Sequence, residues 1–165
     1  MMYDFVSHTF LSRRRLHLFH DQQLVIWVAS LSDYRRPGEV GTKPGDALRE
    51  ALEVFKEVAE NPSLEGAGFV VFLNKVDQFR EELKKHWIKK YFKSAPSKEK
   101  GKGSEEKNFE RALQFIRKRF QKRAGKREIT RIIATTAVDP ENAKTCLASA
   151  HKAALFANLQ EGNLI

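Results

Sequence analysis

Three short runs, two of them uninterruptedly apolar, most constrain what this chain folds into. They are LVIWVA (Leu24–Ala29), GFVVFL (Gly68–Leu73) and TRIIATT (Thr130–Thr136), rich in β-branched and aromatic side chains. A strand with one wet face alternates apolar with polar residues. A strand apolar throughout is buried on both faces, the mark of a parallel sheet. Helical patterns lie between the runs. Leu48, Leu52, Phe55 and Val58 recur at three- and four-residue spacing after Asp46, which is positioned as the helix cap. Phe109, Leu113, Ile116 and Phe120 do so after Ser104, Glu105 and Glu106. Asp139-Pro140 opens a last helix through Ala143, Leu147, Ala150, Ala154 and Leu155, with Asp as cap and Pro at the first helical position. Alternating strands and helices predict an α/β fold, a three-layer sandwich of a mostly parallel sheet with helices on both faces.

The 165 residues, 41% apolar and 31% charged, fit one globular domain. Two segments break the pattern. RRPGEVGTKPGD has the Pro and Gly content of a loop, and SAPSKEKGKGSEEK (Ser94–Lys107) reads as a mobile, low-complexity basic insertion. Between Arg80 and Arg127 there are 18 Lys/Arg against 6 Asp/Glu, a net +12 of the chain's +9, so the remainder carries −3. Such a stretch is first a solvated face, and an anionic membrane surface is the partner it would suit. Apart from HWIKKYF it is poorly interleaved with aromatics, and no nucleic-acid motif accompanies it, so no nucleic-acid partner is expected. The start, MMYDFVSHTF, has neither a secretory signal pattern nor a lipidation motif, and Cys146 is alone. A cytoplasmic setting, extending to the inner face of the plasma membrane, is expected.

The second apolar run ends abruptly in Asn74, Lys75 and Asp77. Parallel sheets bind ligands in the crevice beyond the carboxyl ends of their strands, where these residues and Thr135-Thr136-Ala137 fall. An Asp there accepts two parallel hydrogen bonds from a base with adjacent N–H and NH2 donors, an edge that guanine has and adenine lacks. Asn bridges base and protein, the Lys stem lies along the base plane, and Ala137 admits the base oxygen. The alternative is a turn in which Asn and Asp bond their own backbone.

The surroundings resemble the α subunits of heterotrimeric G proteins. FLNKVDQFREEL looks like that family's guanine-specificity segment, and ATTAVDPENA resembles its T-C-A-T-D loop leading into the final helix. VIWVASLSDY matches the strand before the third switch, and YDFVSHTFLSRRRLHLF lies without a gap on the D-V-G-G-Q and second-switch segment. The ending NLQEGNLI, Asn158–Ile165, is similar to the receptor-facing tail. The resemblance implies a partial Ras-like GTPase domain spanning residues 1–165. It implies GTP or GDP as ligand, held by Asn74, Lys75, Asp77, Thr136 and Ala137. A G-protein-coupled receptor and a βγ complex are the implied partners.

The likeness covers the family's C-terminal half. The phosphate loop G-x-x-x-x-G-K-[ST] occurs nowhere in the 165 residues. Asp4 matches the metal-side Asp, so Mg²⁺ is implied only together with the family's N-terminal half. The glycine that meets the γ-phosphate is Ser7 here, and the glutamine that orients water is His8. Loss of the first-switch Arg alone costs on the order of 10³-fold in rate. Hydrolysis is therefore expected to be lost or very weak in this chain. The alternatives are a nucleotide-free interaction module, or part of a longer gene product. An exposed edge along LVIWVA is also expected, inviting self-association.

Overall fold

The three apolar runs pair as one parallel sheet in the order β1 (Leu24–Ser30), β2 (Gly68–Asn74), β3 (Ile129–Ala134). The computed structural model describes residues 24–136 and position 148. β1 and β2 stay in register from Leu24 opposite Gly68 to Ser30 opposite Asn74. The β2–β3 ladder shifts between Phe69 and Val70, and ends with Leu73 opposite Ala134.

β2 is buried on both faces, as its sequence demands. Phe69, Val71 and Leu73 belong to the main core, whereas Val70 and Phe72 form a second cluster with Leu24 and Ile133. In β1, Trp27 and Ala29 join the main core, while Ile26 and Val28 remain 43% and 60% exposed. Among the described strands β1 is bonded on one side only.

The main core is closed by α1 (Asp46–Ala59), α2 (Val76–Lys85) and α3 (Ser104–Arg123). All eight apolar positions expected to face inward on α1 and α3 are buried. Phe55 is the hub, with ring centroids 5.4 Å from Trp27, 6.2 Å from Phe69 and 5.2 Å from Phe120. Each fully buried side chain of this size stabilises by about 1.5–3 kcal/mol. The described helices pack into this one cluster, and the helix expected from Asp139-Pro140 lies outside the described residues.

Two local expectations are corrected, and one helix is added to those the sequence showed. Asp46 is not the cap of α1. Gly45, at φ 93°, takes that place, and the Asp46 carboxylate accepts the Lys43 N–H at 2.9 Å and an Arg49 guanidinium N–H at 2.8 Å. A left-handed backbone is open to Gly, so the backbone and not a side chain starts this helix. The segment after β2 is helical in α2, although only Phe79 and Leu83 mark its buried face. Finally, the basic insertion is pinned. Ala95 is buried, the Trp87 indole donates to the Pro96 carbonyl at 2.9 Å, and Asn108 brackets Glu99 through its backbone N–H and C=O at 2.8 and 2.9 Å.

Candidate functional site

The carboxyl ends of the strands bring Ser30, Asn74 and Thr135 together. Asn74 is the last ladder residue of β2, and a single residue, Lys75, separates it from α2. Lys75 sits at φ 64°, ψ 42°, the one non-glycine with positive φ among the described residues. A left-handed residue reverses the chain abruptly, which sets the first turn of α2 directly above the strand end. For a side chain with a Cβ that conformation costs about 1–2 kcal/mol.

Local hydrogen bonds hold the reversal. The Asn74 Oδ1 accepts the Lys75 N–H at 2.8 Å and the Thr135 hydroxyl at 3.3 Å. The Thr135 N–H donates to the Leu73 carbonyl at 2.8 Å, and the Val76 N–H returns to the Thr135 carbonyl at 3.2 Å. Both loops are thus sewn into one rim, with Thr135 buried beneath it. The Asn74 side-chain oxygen is thus engaged in the stitching that joins the two loops.

Asp77 lies in the first turn of α2, exposed, with no hydrogen bond or ion pair to another described residue. The N-terminal dipole of α2 favours a carboxylate there. The arrangement offers an acceptor pair at Asp77 and a hydrocarbon stem at Lys75, beside an Asn74 that braces the two loops along the sheet edge. Thr136, half-buried, follows Thr135 on the same rim. Ala137, Asp4, Ser7 and His8 lie outside the described residues, as do Cys146 and the Asn158–Ile165 tail.

Two neighbours went unread in the sequence. Ser30 carries a buried hydroxyl without a partner among the described residues, and it faces Asn74 across the ladder. Ser32, also buried, points its hydroxyl at the Gln78 side chain at 3.4 Å. Their signal was positional: small polar residues that end an apolar run as Asn74 does. Among the described residues no group of three or more His, Cys, Asp or Glu is arranged to hold a metal, and no helix is long and apolar enough to cross a membrane.

Comparison with known proteins places this edge in context. The family model for the G-protein alpha subunit matches residues 2–154. The guanine nucleotide-binding protein alpha-9 subunit of Dictyostelium discoideum is 32% identical over 132 residues, 79% of this chain and 35% of that protein. The alpha-6 subunit of Caenorhabditis elegans is 29% identical over 152 residues, 92% of this chain and 39% of its own length. The alpha-1 subunit of Oryza sativa subsp. indica is 31% identical over 116 residues, 66% of this chain and 28% of its length. The chain therefore spans about a third of the length of these relatives.

Proposed function

This chain belongs to the G-protein alpha-subunit family, and on that premise we propose that it binds the guanine base of GDP or GTP at the β2–α2 edge. The observation that carries the reading is the exposed Asp77 carboxylate, held beside a left-handed Lys75 and an Asn74 already fixed by the neighbouring loop. Asp77 accepts the N1–H and N2–H of guanine, two charge-assisted bonds of about 1.5–3 kcal/mol each. The Lys75 stem covers one face of the base, Asn74 braces the rim beside its edge, and Thr136 and Ala137 close the opposite side. Adenine offers no matching donor pair, so selectivity follows from Asp77.

Hydrolysis by this chain is weak or lost. Ser7 takes the place of a glycine whose backbone must approach phosphate, and His8 lacks the paired donor and acceptor of an amide. A Mg²⁺ ion beside Asp4 would neutralise phosphate charge. The wider role is that of a signal transducer at the cytoplasmic face of the membrane. It engages a receptor through Asn158–Ile165 and a βγ complex through the second-switch segment. The exposed lysines Lys89, Lys90, Lys93, Lys100 and Lys102 favour an anionic membrane surface as a further contact.

Titration with a fluorescent GDP analogue tests the central claim. Saturable binding displaced by GDP and GTP but not by ATP is expected. Absence of saturable binding at millimolar nucleotide overturns it for this chain.

A further inference from the structure

A second cluster of chemistry lies away from the sheet edge, where α1, α3 and the α2–α3 connection meet around Phe92. Two guanidinium groups stack on that ring, Arg49 at 4.5 Å and Arg119 at 5.1 Å from its centroid, and Arg119 also lies 4.7 Å from the Phe115 ring. Nearby Arg123 adds a third cation. Arg49 is answered by Asp46 at 2.8 Å and Arg123 by Glu53 at 2.5 Å. Arg119 has no carboxylate partner among the described residues. Burial and the adjacent Arg123 and Arg49 charges all disfavour its protonated form.

The hydrogen bonding of Arg119 is half complete. Its Nη2 donates to the Ser94 hydroxyl oxygen at 2.6 Å, while its Nε–H is buried with no acceptor among the described residues. Nε–H and Nη2–H share one edge of the planar guanidinium, the fork that matches two oxygens of a phosphate. Ser94 supplies one oxygen to a fork built for two. Its hydroxyl is exposed, and it is held in place by Phe92 and Ala95, which are buried on either side. Exposed Lys89, Lys90 and Lys93 precede it, a cationic approach suited to a kinase with an acidic substrate cleft.

We propose that Ser94 is a phosphorylation site and that Arg119 receives the phosphate through its Nε–Nη2 edge. A basophilic serine/threonine kinase would use ATP as phosphoryl donor. The Ser94 Oγ–P bond forms, the β–γ phosphoanhydride bond of ATP breaks with ADP leaving, and the hydroxyl proton is released. The new group brings a charge of about −1.5 to −2 to a cluster with an unanswered cation, and gives the buried Nε–H its acceptor. This inference does not depend on nucleotide binding at the sheet edge.

The test uses the whole chain, folded, with MgATP and a basophilic serine/threonine kinase, and the product mapped by tandem mass spectrometry. Phosphorylation at Ser94 is expected, and is lost in Ser94→Ala. The phosphorylated protein should melt about 2–4 °C above the unmodified one, a gain absent in Arg119→Lys, which keeps the charge but not the fork. A second readout needs no variant. By ³¹P NMR the phosphoserine in the folded chain should titrate about one pH unit below the same group in an unfolded peptide of this sequence. Modification of Ser97 in place of Ser94, an unchanged melting temperature, or a peptide-like titration would each overturn the proposal.

Discussion

Two connections leave the carboxyl edge of the sheet, and they treat their carboxylates in opposite ways. The β1–α1 connection is long and consumes its own acids. Glu50 accepts backbone N–H groups from Glu39, Val40 and Gly41 at 2.8, 3.1 and 2.6 Å, and Asp46 holds Lys43 and Arg49. Gly38 and Gly41 lie close against these acids: a Cβ would come within 2.0 Å of the Glu50 carboxylate at the first and 2.4 Å of the Asp46 carboxylate at the second, so the acid would have to shift. The β2–α2 connection is one strained residue, and the Asp77 beyond it bonds to no described residue. A carboxylate with its lone pairs filled by the loop is architecture. One left unpaired above a left-handed backbone is where a ligand is to be sought.

The two connections differ most at Asp77. Asp77→Asn places an amide NH2 against donors of guanine, and should weaken GDP binding on the order of 100-fold. Affinity should move toward xanthine nucleotide, whose 2-oxo group accepts that N–H. Isothermal titration with both nucleotides reads this, and the melting temperature should hardly move. A similar loss for both bases would deny Asp77 its role in reading the base.

Glu50 should behave in the reverse way. Glu50→Ala turns three backbone donors over to water and is expected to cost about 0.5–1.5 kcal/mol in denaturant unfolding, with nucleotide affinity little changed. A smaller effect of the same origin follows from pH. Burial pushes the Glu50 carboxyl up, but the three backbone donors outweigh it and hold it below its ordinary 4.5. Its folded value is depressed, so its stabilisation is fully present above 4.5 and lost as pH falls through the folded value. Between neutrality and pH 5 the wild type and Glu50→Gln should show parallel stability profiles. Below 4.5 the wild type should lose stability more steeply than the variant.

The sheet and two of its helices were legible because burial repeats: β2 is apolar at every inward and outward position, and α1 and α3 space their core residues every three or four. Asn74, Lys75 and Asp77 were legible because polar residues that end such a run have no packing role. The α2 helix was not, since two buried residues in ten make a weak period. Glu50 was unreadable too, because nothing in a helix-surface glutamate marks it as the acceptor for a loop nine to eleven residues earlier. The pinned insertion failed for a related reason. Its anchors, Trp87 and Asn108, lie outside the low-complexity stretch they hold.

The smallest effect is the sharpest test of the one-residue turn. Lys75→Gly removes the Cβ from a left-handed position, which favours the folded state, and adds chain freedom to the unfolded one, which opposes it. The net change in stability should stay within about 1 kcal/mol, leaning toward stabilisation because the left-handed strain at Lys75 is relieved. Glycine also removes the hydrocarbon stem that would lie along the base. Nucleotide affinity should therefore fall while stability holds or rises, with thermal unfolding and titration run on the same preparation. If both fall together, Lys75 serves the fold, and the contrast between the two connections is one of length alone.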